Sequence, residues 1–275
     1  MAWLTPHAYQ CWEALDVDDP ILDQAKCLYE QTQAADERIP WEWIVRSVAN
    51  RKTWRPGRWS PHLLLSTPAD EPDRLVGFAV GAYVPGLGGY VSYLGVDPAA
   101  RGAGIAGRLF GQLFRHFAVD AGTQGVGLPL VVWESRRPSP DAPEAQQRNW
   151  HARIRSFAKT NAHWLAGVTL LTPNYGALAD ETADPIPLEV FLVPLDEPAE
   201  SFTAPRLREV IRSMYRGIYR RDPDTDPLAL RTLAGMTHPT LRPALEALRG
   251  AGGSQSSSPP PAPVARPKRK PAPLA

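Results

Sequence analysis

Apolar positions along this chain switch between two rhythms. Ile21, Leu22, Ala25, Leu28, Tyr29 and Thr32 recur at helical spacing. Asp19-Pro20 precedes them as a start signal, a capping carboxylate followed by a proline already held at helical φ. Pro40 opens a second, shorter helix carrying Trp41, Ile44, Val45 and Val48. Short β-like runs come next, at His62–Ser66, Leu75–Ala82 and Gly89–Val96. The helical rhythm then returns with Ala106, Leu109, Phe110, Leu113, Phe114 and Phe117. Leu128–Trp133 is a compact apolar run suited to the middle of a sheet. Residues 144–160 read as a helix, and 165–171 and 188–195 as strands. This order predicts a mixed α/β (α+β) fold with a sheet of six or seven strands flanked by helices.

Past Pro198, Leu207, Val210, Ile211, Met214 and Ile218 form a helical apolar face, and Arg208, Arg212, Arg216 and Arg220 run beside it as a solvated stripe. From Gly250 onward a Ser/Pro/Ala tract with Arg266 and Lys268-Arg-Lys270 has no means of burying a core. The expected division is a domain over 1–198, a helical C-terminal extension over 199–250 and a disordered basic Pro/Ser-rich tail over 251–275.

Composition narrows the class. Apolar residues at 43% and charged residues at 21% exclude a wholly disordered chain and a coiled coil. Val76–Val96 carries no charge over 21 residues, but Pro85 and six glycines interrupt it, so it reads as two strands and a turn rather than a membrane span. The net charge of +1 is unevenly spread: residues 1–200 hold 17 Lys/Arg against 24 Asp/Glu, and residues 201–275 hold 13 against 5. An acidic main body points to a cationic or amine-bearing partner rather than a nucleic acid. Two cysteines, Cys11 and Cys27, cannot build a disulfide framework, and Met1-Ala-Trp-Leu-Thr-Pro-His is not a secretory signal, so a cytoplasmic location is expected. His116 and His163 have no partner at metal-ligand spacing, so no metal is expected. Trp54 and Trp59 among Arg51, Lys52, Arg55 and Arg58 have the residue types that stack bases and neutralise phosphates, but a surface loop folded onto the domain is the expected reading.

The sharpest local signal is Leu94-Gly-Val-Asp-Pro-Ala-Ala-Arg-Gly-Ala-Gly-Ile-Ala-Gly-Arg-Leu-Phe110, where a strand stops at a proline and a glycine-rich turn opens into an amphipathic helix. Such a turn lets main-chain N–H groups approach an anion, and the helix start adds unpaired donors. Gly102-Ala-Gly104-Ile-Ala-Gly107 fits the dinucleotide pattern G-x-G-x-x-G, but Asp97–Arg101 intervene after the strand, and the preceding elements look antiparallel.

Arg101-Gly-Ala-Gly104-Ile-Ala106 resembles the R/Q-x-x-G-x-G/A signature of the GNAT superfamily of acyl-CoA-dependent N-acyltransferases, and Val96-Asp-Pro resembles that family's strand exit. The order of elements over most of residues 10–195 is similar to the family's as well. The resemblance implies acetyl-CoA or another acyl-CoA as cosubstrate. Main-chain amides of Gly102, Ala103, Gly104, Ile105, Ala106 and Gly107 would hold its pyrophosphate with help from Arg101, and Leu94 and Val96 would contact the pantetheine arm. Acyl transfer to an amine needs a group that takes the amine's proton and one that stabilises the thiolate. Glu134, ending the strand beside the signature strand, is the candidate for the amine, with Glu37 a weaker candidate at the acceptor rim; Tyr93 reads as packing. In the family's tyrosine-bearing segment Phe157 stands where the thiolate's acid belongs, which leaves Tyr175 as an alternative. Two functions follow: an N-acetyltransferase acting on a small-molecule or peptide amine, or an acyl-CoA-binding module with a protein partner. A homodimer stays open.

Overall fold

The computed structural model describes residues 8–177, 180 and 183–249. The tail expected over 251–275 and the first seven residues lie outside the described residues. Strand β1 (Tyr9–Glu13) leads into helices α1 (Ile21–Thr32) and α2 (Trp41–Arg51), then strands β2 (Ser60–Pro68), β3 (Gly77–Val84) and β4 (Gly88–Val96). Helix α3 (Ile105–Thr123), strand β5 (Leu130–Ser135), helix α4 (Glu144–Ala158) and strands β6 (His163–Ala166), β7 (Leu170–Thr172) and β8 (Ile186–Pro194) follow. Helices α5 (Ala204–Met214) and α6 (Pro227–Gly235) and strand β9 (Thr240–Pro243) complete the order.

The fold is the mixed α/β class the periodicity predicts. The described residues form one nine-stranded sheet, ordered β1-β2-β3-β4-β5-β8-β6-β9, with β7 pairing the remaining stretch of β8. The count exceeds the expected six or seven for identifiable reasons. β1 and β9 are short edge strands of mixed polarity that carry no apolar run. The single strand expected over 165–171 breaks at Gly167, whose φ of +79° turns the chain, so β6 and β7 pair with different parts of β8. β9 joins the sheet through β6, so the sequence beyond 198 is built into the same sheet. The uncharged run 76–96 is the β3–β4 hairpin, and no helix among the described residues is long and apolar enough to cross a membrane.

Strict alternation buries both faces. Leu64, Ala79, Val131 and Trp133 pack against α3 and α4, while Leu63, Leu65, Phe78 and Val80 pack under α1 and α2. Further along that second face, Ala82, Tyr90, Leu130 and Val132 meet Leu207, Val210, Ile211 and Met214 of α5. Each fully buried Leu or Phe is worth roughly 1.5–3 kcal/mol, so three continuous clusters hold the sheet rigid.

The arginines at 208–220 do not form one solvated stripe. Arg208 donates to the Leu233 carbonyl at 2.8 Å and to that of Met236. Arg212 pairs with Asp224 at 2.6 Å, Arg216 lies 3.5 Å from Glu209, and Arg220 lies over the Trp59 ring. Two of the four therefore tie the helix ends together.

Candidate active site

The site begins where two parallel strands part. β4 and β5 pair only at Gly89 with Val131 and Tyr90 with Val132. Beyond them β4 has a bulge: Val80 opposes Tyr93 while Gly81 opposes Val91, leaving Ser92 extra. A bulge sharpens local twist, which steers β4 away from β5. On the β3 side the Asp97 N–H bonds the Val76 carbonyl at 2.9 Å, and antiparallel bonding alternates, so the main-chain groups of Leu94 and Val96 point to the edge that β5 has left. The Gln33 side chain, donating to the Leu94 carbonyl at 3.2 Å, marks that direction.

A cavity of about 740 Å³ passes through the gap, a size typical of small-molecule sites. At one end lie Leu94, Ala106, Gly107, Phe110, Trp133 and Phe157. Gly102 and Gly104 have φ of +89° and +79°, so the chain turns twice through the left-handed region before α3 begins. A Cβ added at Gly102, Gly104 or Gly107 would meet no atom within 4 Å, so the space over the turn is open. Arg101, Gly102, Ala103 and Gly104 are exposed, and Ala106 is half-buried. Ile105 instead buries its side chain in the core, leaving only its main chain for a ligand. An open left-handed turn at a helix start suits an oxyanion such as a phosphate or pyrophosphate.

At the other end stands Glu134. Its Oε1 accepts from the Tyr90 hydroxyl at 2.5 Å and from the Tyr219 hydroxyl at 2.6 Å. Its Oε2 is buried with no hydrogen-bond partner. Burial raises the carboxyl to about 7; the Tyr219 and Tyr90 hydrogen bonds restrain the rise and the Glu37 charge adds to it. Tyr175 lines the same cavity, and burial pushes its hydroxyl well above the ordinary tyrosine value. Glu37 also lines it but lies 3.5 Å from Arg136. Tyr93 also lines the cavity, and its hydroxyl accepts from the Ile39 N–H at 3.1 Å and donates to the Glu37 carbonyl at 2.9 Å. Phe157 packs on Trp133 at 5.2 Å and on Phe191 at 5.0 Å.

The sequence offered no route to Tyr90 and Tyr219. Tyr219 closes a single π-turn after α5, four residues beyond Tyr215, and that aromatic spacing on an apolar face is the only local trace of it. Arg153 was also missed. It lines the cavity, donates to Ser135 Oγ at 2.8 Å, and burial pulls its guanidinium below the ordinary value.

His116 does find neighbours in space. Ligand-type atoms of Glu13, His62 and His116 lie within 4.8 Å of one another. Both His62 nitrogens already face carboxylates, Glu13 at 2.6 Å and Asp120 at 2.7 Å, and Arg51 reaches both acids. Burial alone would discharge these groups, but their mutual hydrogen bonds prevail: His62 is raised, and Glu13 and Asp120 are lowered. Arg51 and His62 facing Glu13 and Asp120 make a hydrogen-bonded network between β1, β2 and α3.

A split mixed sheet with an open glycine turn at the start of its central helix is a GNAT-like architecture. Residues 28–139 match the model of the acetyltransferase (GNAT) family. Among solved structures it is similar to a GNAT-family chain from Bacteroides thetaiotaomicron, at 18% identity and TM-score 0.47 over 70% of this chain and 90% of that one. It is also similar to the ribosomal-protein-S18-alanine N-acetyltransferase from Escherichia coli, at 12% identity and TM-score 0.42 over 70% of this chain and 97% of that one. A GNAT family acetyltransferase from Elizabethkingia anophelis with acetyl-CoA bound gives 12% identity and TM-score 0.42 over 69% of this chain and all of that one. No curated protein matches the sequence.

Proposed function

We propose that the protein transfers an acyl group, acetyl in the simplest case, from acyl-CoA to a primary amine while both are bound. Acyl-CoA brings an activated acyl group and a thiolate leaving group. The observation that carries this reading is Glu134: one carboxylate oxygen is fixed by two tyrosines and the other is buried and unpartnered at the gap between β4 and β5.

An ammonium must lose a proton before its lone pair can attack. Glu134, at about 7, binds the ammonium when ionised and takes its proton at neutral pH. The amides from Gly102 to Gly107, with Arg101 alongside, hold the pyrophosphate, and the outward main-chain groups of Leu94 and Val96 align the pantetheine arm. As the C–N bond forms and the C–S bond breaks, the second proton of the attacking nitrogen passes to the thiolate, directly or through water. Tyr175 keeps its own proton and stabilises the departing thiolate by a hydrogen bond. Complete transfer from so weak an acid to a thiolate, whose thiol has an ordinary value of about 8.5, is uphill. Phe157 adds no proton there.

Glu134→Gln tests the reading. Thiol release from acetyl-CoA across a panel of amines should fall at least about 100-fold, with CoA affinity nearly unchanged by calorimetry. Equal turnover in the two proteins removes Glu134 from the chemistry. Tight CoA binding by the native protein without turnover on any amine replaces the enzyme with an acyl-CoA-binding module, the reading that Phe157 favours.

A further inference from the structure

A second cavity, about 880 Å³, lies between α2, the 51–59 loop, the β3–β4 turn and the end of α5. It shares Trp43, Ser47, Trp59, Pro61 and Arg220 with the reaction cavity, so the two are continuous at the Glu134 end rather than at the glycine turn. Arg220 follows Tyr219, the residue bonded to Glu134, and its φ of +56° reverses the chain there. Its guanidinium lies 5.6 Å from the centre of the Trp59 ring, at the junction of the two spaces.

The lining is strongly one-signed. Arg46, Arg55, Arg58, Arg216 and Arg220 face a single acid, Glu209. Glu209 is already engaged by Arg212 at 3.4 Å and Arg216 at 3.5 Å. Arg46, Arg55 and Arg58 make no ion pair among the described residues. The Trp59 indole nitrogen is buried with no acceptor. Unpaired guanidiniums repel one another and present planar donor forks suited to carboxylate or phosphate. The acidic balance of residues 1–200 does not govern this groove, because a ligand feels the nearby charges far more strongly than distant, screened ones.

We propose that the acceptor is a small amine with an anionic far end, carboxylate or phosphate, its amine at Glu134 and its anion among the arginines. The acyl-transfer reading is assumed for the chemistry, but the groove can be tested without it. The probes are aminopentanol, aminopentanoate, aminopentyl phosphate and diaminopentane, four amines on one chain with neutral, carboxylate, phosphate or cationic ends. Thiol release gives kcat/KM, and quenching of tryptophan fluorescence gives binding without turnover. The two anionic members should exceed aminopentanol about tenfold, with diaminopentane lowest. A lead for only one of them assigns the groove to that anion. Arg46→Glu with Arg58→Glu, both exposed, should reduce the anionic members to the level of aminopentanol while CoA affinity and the melting temperature are retained.

Quenching by the anionic amines that this double variant abolishes, with no thiol release from any acceptor, leaves the groove standing and sinks the acyl-transfer reading. Turnover led by diaminopentane or aminopentanol, or an anionic preference that survives the double variant, overturns the groove proposal and leaves acyl transfer intact. So does quenching by a single-stranded oligonucleotide with none by either anionic amine, or no quenching and no anionic preference at all.

Discussion

At the α3 end of the reaction cavity the lining is Leu94, Ala106 and Gly107 with the rings of Phe110, Trp133 and Phe157, and the neighbouring glycine turn offers its backbone to open space. At the Glu134 end the chain presents side chains from four separate segments, Tyr90, Glu134, Tyr175 and Tyr219, closely packed and titratable. Under the acyl-transfer proposal, the contrast follows from what each end would do. Backbone amides at a helix start recognise an oxyanion whatever side chains surround them, and glycine keeps the approach clear. Proton handling needs a carboxylate taken out of water, and only surrounding side chains can do that.

If this division is right, the two ends fail differently. Glu134 is a stability liability, and its removal should show it. A carboxyl raised from 4.5 to about 7 holds its proton more tightly folded than unfolded. Stability is therefore lost as pH rises through that window. Glu134→Gln cannot ionise, so above pH 7 it should be more stable than the native protein by up to about 3 kcal/mol in denaturant melts, and the gain should vanish near pH 4. A gain independent of pH, or a loss, would mean that Glu134 is not held in the raised state.

Gly104→Val should act only at the other end. A Cβ at φ +79° meets no protein atom but is conformationally strained, costing about 1–2 kcal/mol of stability. It also intrudes on the space over the turn, so CoA should bind at least tenfold more weakly, about 1.4 kcal/mol. Unchanged calorimetric affinity in the folded variant would exclude the pyrophosphate from this turn. Arg101→Ala should cost less, about threefold and shrinking with added salt, because its exposed charge only supplements the amides.

The finest test is Tyr219→Phe. Activity in the native protein should rise tenfold per pH unit at low pH and level off near 7, as Glu134 becomes able to accept a proton. The Tyr219 hydrogen bond favours the ionised carboxylate, so its loss should move that inflection upward and lower activity at pH 7 by a few-fold, with the high-pH plateau kept. An unmoved inflection would separate Tyr219 from the base.

Much of this protein could be read in one dimension. The helices from Ile21, Trp41 and Ile105, the hairpin in the uncharged run and the glycine turn each rest on residues a few positions apart. Spacing and steric preference determine such elements before any long-range contact forms. The reach of those signals ended where partners lie far apart. β1 and β9 exist because an edge accepted them, and β6 and β7 separated because two stretches of β8 were free. Tyr90 and Tyr219 meet Glu134 across separations of 44 and 85 residues. The network of His62, Glu13 and Asp120 likewise joins three elements. The arginine groove assembles α2, a loop and the end of α5; each contributing stretch is basic along the chain, but only the fold brings them to one space. Tertiary structure decided these features because burial and charge proximity are properties of the folded volume, and no periodicity along the sequence encodes them.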